Sequence, residues 1–246
     1  RYHKNLSSEK KFKIIKILRK KKNNNKLFTN SQKDFFKHKI DLYIVATNVE
    51  THYHYIKKAC LKKKNIIVEK PFVKNTVQAI KLKKFKNIKN FFIHHNDVYN
   101  LKKINFPNIL KSLGKIKEIK FFYGKNQKVN FSKMALDWLP HPLSVLINYF
   151  GKPSRLNLQT FNQNNLLVFL NYQNFIAKIH ISKNFPSKKK IIHFYGTKKK
   201  YTYDGYNQKF NSLKNLINCY SKTKKLNDLN LGIKVTEVID KIKKKI

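Results

Sequence analysis

Residues 41–71, DLYIVATNVETHYHYIKKACLKKKNIIVEKP, constrain the fold more than any other stretch, because they read as one complete βαβ unit. Residues 42–46 are an apolar run between polar neighbours, the pattern of a short parallel strand buried on both faces. His52, Ile56, Ala59 and Cys60 then recur at helical spacing, while the lysines fall mostly on the other side. A second apolar run, Ile66 to Val68, stops at Glu69-Lys70-Pro71. A crossover of this length makes the strands parallel and the connection right-handed. Ala46-Thr47-Asn48 and Glu69-Lys70 are therefore expected at one edge of a sheet. Open α/β sheets bind ligands outside the carboxyl ends of their strands, so chemistry is expected at that edge, with Lys70 foremost.

A second motif lies far away in the chain. Asp137-Trp138-Leu139-Pro140-His141 precedes an apolar stretch, Leu143 to Phe150, that stops at Gly151 with Pro153 beyond. A glycine just past a helix and a proline soon after form a regular stop signal. Asp137 fits the N-cap or first turn of that helix, where Pro140 and Pro142 are best tolerated. An Asp and a His four residues apart can project toward one side. A histidine titrates near neutral pH and can take or give a proton in a reaction. An ammonium group placed beside developing negative charge stabilises it. Alone, Glu-Lys-Pro reads as a loop and Asp-x-x-x-His as a capped helix with a surface histidine. Together, in this order, they read as a site.

Both motifs resemble the glucose-fructose oxidoreductase and inositol dehydrogenase family (Gfo/Idh/MocA), nicotinamide-dependent enzymes acting mostly on sugars and cyclitols. There a strand ending Ala-Thr-Pro is followed by a His that opens a helix, and the next strand ends in Glu-Lys-Pro; here these are Ala46-Thr47-Asn48, His52 and Glu69-Lys70-Pro71. The chain departs from the pattern at Asn48, where proline is usual, and at Lys63, where a glycine normally ends the helix. A non-glycine residue in a left-handed cap costs about 1 kcal/mol. The resemblance implies that His141 accepts the proton of the substrate hydroxyl while Lys70 and Asp137 hold that hydroxyl. It also implies cofactor contacts from Ala46, Thr47, Asn48, His52, Glu69 and Lys70, and substrate contacts from Asn96 and Trp138.

The remaining pattern fits two domains. Phe12 to Leu18 is a short strand-like run, Thr76 to Ile88 has helical spacing, and Phe91 to Ile93 reads as a strand ending at His94-His95-Asn96. From Ile116 the alternation becomes that of a half-buried antiparallel sheet. Strands are expected at Ile116–Tyr123, Leu166–Tyr172, Phe175–Ser182, Ile191–Gly196 and Lys200–Asp204, with a hairpin turn at Tyr172-Gln173-Asn174. Ser212–Tyr220 and Gly232–Ile242 have helical spacing. The expected architecture is a Rossmann-like nucleotide-binding domain over residues 1–96. An open, mostly antiparallel sheet with helices on one face follows over residues 97–246. By resemblance the second domain also serves association into a dimer or tetramer.

A dinucleotide fold normally starts with a strand and a Gly-x-Gly-x-x-Gly turn, whose amides meet the pyrophosphate at a helix N-terminus. This chain has no such motif and opens at Arg1-Tyr2-His3-Lys4-Asn5-Leu6, which resembles the helix after that turn. Fragmentation, a misassigned start or truncation would each remove the first strand and glycine loop. Truncation of the native protein would weaken cofactor binding, and a non-catalytic descendant acting in binding or assembly is the alternative to an enzyme. An acid at the end of the second strand would bond the ribose diol of NAD, whereas an Arg accommodates the 2′-phosphate of NADP. Arg19, followed by Lys20 to Lys22, favours NADP over NAD.

A formal net charge of +43 and a pI near 10.2 would ordinarily point to nucleic acid. Lys, Asn, Ile, Phe and Tyr are enriched together, however, and all have A/T-rich codons. Base composition of the genome accounts for the whole set, while nucleic-acid binding accounts only for the lysines, which are spread along the chain. A basic nucleic-acid-binding protein is thus the third reading, and the positive field should still attract anionic small molecules. Cys60 and Cys219 are isolated, so no disulfide framework or zinc site is indicated, and the His52/His54 and His94/His95 pairs lack matching ligand spacing. No apolar run is long enough to span a bilayer and no secretory signal is visible. A cytoplasmic enzyme is the resulting expectation.

Overall fold

The computed structural model describes residues 2–7, 10–20, 25–86, 88, 90–127, 130–207, 212–222 and 226–246. Helix α1 (Tyr2–Ser7) leads to β1 (Ile17–Leu18), which pairs in parallel with β2 (Phe28–Thr29). Of the strand expected over residues 12–18, only its last two residues find a partner. Helix α2 (Gln32–Lys37) follows, its start fixed by the Ser31 hydroxyl accepting from the Asp34 N–H.

The βαβ unit is present as the sequence implies: β3 (Leu42–Val45), α3 (Val49–Leu61) and β4 (Asn65–Val68), with the two strands parallel in register from Leu42↔Asn65 to Val45↔Val68. Helix α3 buries His52, Ile56, Ala59 and Cys60, the face drawn from the apolar spacing. It ends with Lys63 left-handed at φ 53°, so the position that favours glycine is left-handed even though a lysine occupies it. Helix α4 (Thr76–Leu82), capped by the Asn75 side chain, runs into a short 3-10 turn at Lys83–Phe85 and then β5 (Asn90–Ile93).

Helices α5 (Asn96–Lys103) and α6 (Phe106–Leu113) carry the chain to β6 (Ile116–Gly124). Then come α7 (Phe131–Trp138), α8 (Pro140–Phe150), β7 (Arg155–Phe161), β8 (Asn165–Asn171), β9 (Ile176–Ser182), β10 (Lys189–Gly196) and β11 (Lys200–Asp204). Six strands form one sheet in the order β11-β10-β6-β9-β8-β7, antiparallel throughout except for β6 beside β9. The expected turn between β8 and β9 is closed by the Tyr172 N–H bonding the Phe175 carbonyl at 2.9 Å. Ile119, Phe121, Tyr123, Val168, Ile179 and Phe194 point from this sheet into a core shared with α5 to α8. At Gly124 (φ 146°) a side chain would collide with the Ser182 carbonyl, so β6 and β9 approach there only because the residue is glycine.

The segment from Ser212 onward, assigned by sequence to the second domain, crosses back. Helix α9 (Ser212–Lys222) packs Leu213, Leu216 and Ile217 against Ile67, Phe92 and Tyr99, and β12 (Leu226–Asn227) adds to β5 in a parallel sheet ordered β12-β5-β4-β3. Helix α10 (Leu229–Lys243) joins both cores, with Leu229 and Ile233 in the first and Val235, Val238 and Ile242 in the second. Asp228 ties this return in place: its carboxylate accepts from the Ile93 N–H and from the Tyr99 hydroxyl.

Candidate active site

The carboxyl ends of β3 and β4 do come side by side, and their loops are locked together from beneath by His52. Its Nε2 lies 2.9 Å from the Thr47 carbonyl, and its Nδ1 lies 2.9 Å and 3.2 Å from the carbonyls of Pro71 and Phe72. His52 is buried, with both ring nitrogens within hydrogen-bonding distance of backbone carbonyls, so it ties the two loops together. Ala46, Thr47 and Asn48 are exposed at the end of β3, and Asn48 occupies the N-cap of α3 without spending its side chain on a capping bond.

The Lys70–Pro71 peptide is cis. Glu69 turns inward, its Oε1 3.0 Å from Nδ1 of the fully buried His94, so it braces the start of the loop. Lys70 points the other way. Its Nζ donates to the Asp137 carboxylate at 2.8 Å and to the Asp137 backbone carbonyl at 2.9 Å.

Asp137 is not at a helix start. It lies in the last turn of α7, whose N-cap is Asn130, and α8 begins three residues later at Pro140. The sequence expectation failed because the apolar stretch from residue 143 marks only α8, and the shorter α7 ahead of it went unread. A carboxylate at the negative end of a helix is unfavourably placed, and the Lys70 ammonium offsets that cost. Trp138 follows, half-buried, its ring 6.1 Å from that of His141 and 5.9 Å from that of Tyr123.

His141 sits in the first turn of α8. Its Nδ1 is enclosed and lies 3.5 Å from Oδ2 of Asp97, while the side chain as a whole remains 10% exposed, so the opening is at the rest of the ring. Burial lowers the His141 pKa to about 4; Lys190 and Lys70 act in the same direction and Asp97 against it. Asp97 itself, fully buried in α5, accepts from Lys190 Nζ at 2.7 Å, from the Tyr123 hydroxyl at 3.1 Å and from the Tyr203 hydroxyl at 3.3 Å. Burial works to raise its pKa, and the positive partners outweigh that, holding the carboxyl below the ordinary range.

Asp97, Lys190 and Tyr203 were missed by the sequence reading. One signal was available: Asp97 is the only acid between Glu69 and Glu118, directly after a strand end rich in histidine. Lys190 gave no signal, being one lysine in the run Lys188-Lys189-Lys190. Only the alternation of β10, which turns Lys190 inward, distinguishes it. The neighbouring His95 is fully buried, and neither of its ring nitrogens has a partner among the described residues. Asn96, expected to contact substrate, opens α5, and its enclosed Oδ1 likewise accepts no bond among the described residues.

Arg19 stands exposed just past β1, its guanidinium 5.3 Å over the Phe28 ring. The exposed edge at Ala46–Asn48, the uncommitted Asn48 amide and the orphaned Asn96 oxygen suit a polar ligand such as a nicotinamide dinucleotide. Among the described residues no group of three His, Cys, Asp or Glu is arranged to hold a metal ion, and no helix is long and apolar enough to cross a membrane.

Residues 2–92 match the family model GFO_IDH_MocA, described as an oxidoreductase family with an NAD-binding Rossmann fold. No curated protein matches the chain. Among solved structures, a candidate oxidoreductase from Magnetospirillum magnetotacticum superposes with a TM-score of 0.83 at 14% identity, covering 97% of this chain and 94% of that one. The UDP-N-acetylglucosamine 3-dehydrogenase GnnA from Acidithiobacillus ferrooxidans gives 0.73 at 13% identity, with 89% and 82% covered. The WlbA dehydrogenase from Thermus thermophilus, in complex with NAD and alpha-ketoglutarate, gives 0.69 at 13% identity, with 86% and 78% covered. At these identities the likeness is one of fold, and it spans both sheets.

Proposed function

We propose, from the premise that the chain belongs through residues 2–92 to the Gfo/Idh/MocA oxidoreductases, that it moves hydride between a nicotinamide and a secondary alcohol or carbonyl of a sugar, nucleotide-sugar or cyclitol. The observation that carries this reading is the Lys70 ammonium held on Asp137 at 2.8 Å beside the end of β4, with its charge felt by His141 in the next helix. The dehydrogenase acting on UDP-N-acetylglucosamine, which shares the fold, supports a nucleotide-sugar among the substrates to test first.

His141 is the acid/base. In the oxidising direction its ring takes the hydroxyl proton as the C–H electron pair leaves the adjacent carbon; in the reducing direction it returns that proton to the oxygen. A bound nicotinamide supplies or receives the hydride. Lys70, already held by Asp137, faces the developing alkoxide with a positive charge whose position is set before the reaction begins, so little reorganisation is needed. Trp138 and Asn96 line the substrate side. Ala46, Thr47 and Asn48 meet the cofactor at the strand edge, and Arg19 inclines the site toward NADP. The open face of the six-stranded sheet is the surface through which a homo-oligomer would form.

The test is a spectrophotometric assay of NADPH and NADH turnover against UDP-sugars, free sugars and inositols, run on the wild type and on Lys70→Ala and His141→Ala. Substrate-dependent turnover lowered by orders of magnitude in both variants is the expected result. Turnover indifferent to either would refute the assignment.

A further inference from the structure

We infer that Asp97 fixes the tautomer of His141, keeping its proton on Nδ1 and leaving Nε2 bare toward the opening of the site. The inference rests on the reading of His141 as acid/base, and supplies what that reading needs: a neutral imidazole has one proton and two places to put it, and only a bare nitrogen facing the substrate can accept another.

The geometry selects between the two places. Nδ1 is enclosed, and the acceptor facing it is Oδ2 of Asp97 at 3.5 Å. With the proton on Nε2, the Nδ1 lone pair would confront a buried carboxylate, two acceptors with nothing between them. With the proton on Nδ1, the N–H lies beside a negative charge 3.5 Å away, an attraction even though the contact is too long to be a formed hydrogen bond.

The carboxylate is itself immobilised. Lys190 and Tyr203 donate to Oδ1 and Tyr123 to Oδ2, so rotation of the group would break bonds on both oxygens. These donors come from β10, β11 and β6, which makes the antiparallel sheet the frame on which the base is aimed. Other groups around His141 contribute charge or shape: Lys70 from the β4 loop, His95 ahead of α5, and the rings of Trp138 and Tyr123. Lys190 and Lys70 oppose a proton on His141, and Asp97 favours it.

The arrangement obeys the logic by which a buried Asp orients a catalytic His in hydrolytic triads, where Asp-to-Asn exchange keeps the geometry and reverses the tautomer. Asn at position 97 could turn its N–H2 toward Nδ1 and push the proton to Nε2. Asp97 is thus a positioning residue, acting through His141.

The experiment is long-range 1H–15N correlation on the full chain with 15N-labelled histidine. His141→Gln assigns the ring and Asp97→Asn tests the cause. At pH 7 the expected wild-type spectrum has a protonated Nδ1 and a bare Nε2. In Asp97→Asn the pattern should reverse, His141 should titrate at lower pH, and turnover should fall by roughly 10²–10⁴-fold, within the range for general acid–base groups. Lys190→Met, which leaves the carboxylate in place, should keep the wild-type tautomer. A wild-type ring protonated on Nε2 overturns the inference without any variant, so a misfolded Asp97→Asn protein does not shelter it; an unaltered tautomer in a folded Asp97→Asn protein overturns it as well. His141→Ala retaining full turnover would remove the acid/base reading and leave the tautomer result standing, which separates the two failures.

Discussion

Lys70 and Asp137 lie 67 residues apart in the chain, and the Lys70 ammonium grips both the carboxylate of Asp137, at 2.8 Å, and its backbone carbonyl, at 2.9 Å. The Lys70 side chain is 16% exposed and that of Asp137 58%, so the pair stands at the rim of the site with its positive member tucked inside. A rim pair of this exposure contributes little to stability. Its consequence is orientation: the two contacts fix the Lys70 ammonium in one place, which on the proposed reading is beside the developing alkoxide.

Lys70→Ala should therefore lower turnover by roughly 10²–10³-fold, the cost of removing one electrostatic stabiliser. The melting temperature should hardly change. Asp137→Asn keeps the backbone bond to Lys70 and should lose less. Comparison of kcat and thermal unfolding for the two variants checks this, and a large loss of stability in Lys70→Ala would recast the pair as structural.

The rate should be insensitive to acid over an unusual range. If His141 is the base, as proposed, oxidation needs it neutral, and burial and the nearby lysines bring its pKa down to about 4, against 6.5 for a free imidazole. The neutral fraction stays near one from pH 7 to pH 5 and drops only as pH falls through about 4. A profile of kcat/KM whose acid limb lies near 6.5 instead would show that His141 is not the titrating base of the free protein.

Stability should carry the opposite signature. His95 and His141 titrate at about 3 and about 4 in the folded chain, burial being the main cause in both, and near 6.5 when unfolded. Between those values the unfolded chain binds protons that the folded chain does not, so stability rises with pH through the window and is lost as pH falls from 6.5 toward 3. Asp97, depressed below its ordinary value, keeps its contribution above about pH 4 and loses it only below that. Urea midpoints measured from pH 7 to pH 4 should fall steadily. His95→Leu should flatten that slope, because the buried imidazole without a partner is removed.

How far the site could be read in advance follows from where the information lies. Ala46–Asn48, Glu69-Lys70 and the face of α3 were legible because local spacing within one βαβ unit fixes them. Gly151 marked the end of α8 for the same reason, its φ of 80° being a local demand. Asp97 and Lys190 meet only through the fold, from α5 and β10, and in a chain so rich in lysine no composition signal singles out the one that turns inward. The return of α9 and β12 to the first sheet was equally hidden, since a two-residue strand leaves no periodicity to read. The spacing of α3 put His52 on its buried face, but its three backbone carbonyl neighbours depend on the Pro71 loop closing over it and left no local signal.

That closure makes His52 the residue whose loss should reach the site indirectly. His52→Ala strips the carbonyls of Thr47, Pro71 and Phe72 of their shared partner and leaves a cavity under α3, a change expected to cost roughly 2–4 kcal/mol. The β4 loop should loosen, so turnover at temperatures below unfolding should fall together with amide-exchange protection around Lys70. Preserved protection there would show that the loops hold each other without it.

The only tryptophan offers a direct reading of the cofactor. Trp138 lies next to Asp137 with its ring 6.1 Å from that of His141, and its emission overlaps the absorption of a reduced nicotinamide. Titration with NADPH and with NADH should quench Trp138 saturably, more tightly for NADPH if Arg19 meets the 2′-phosphate. Arg19→Ala should then erase the difference between the two, while added salt weakens both through screening of the positive surface. Quenching by both cofactors with equal midpoints in the wild type would remove Arg19 from the site and leave the Lys70–His141 arrangement untouched. No quenching, either in this chain or in one extended by an upstream strand and glycine loop, would favour a non-catalytic binding role for the same fold.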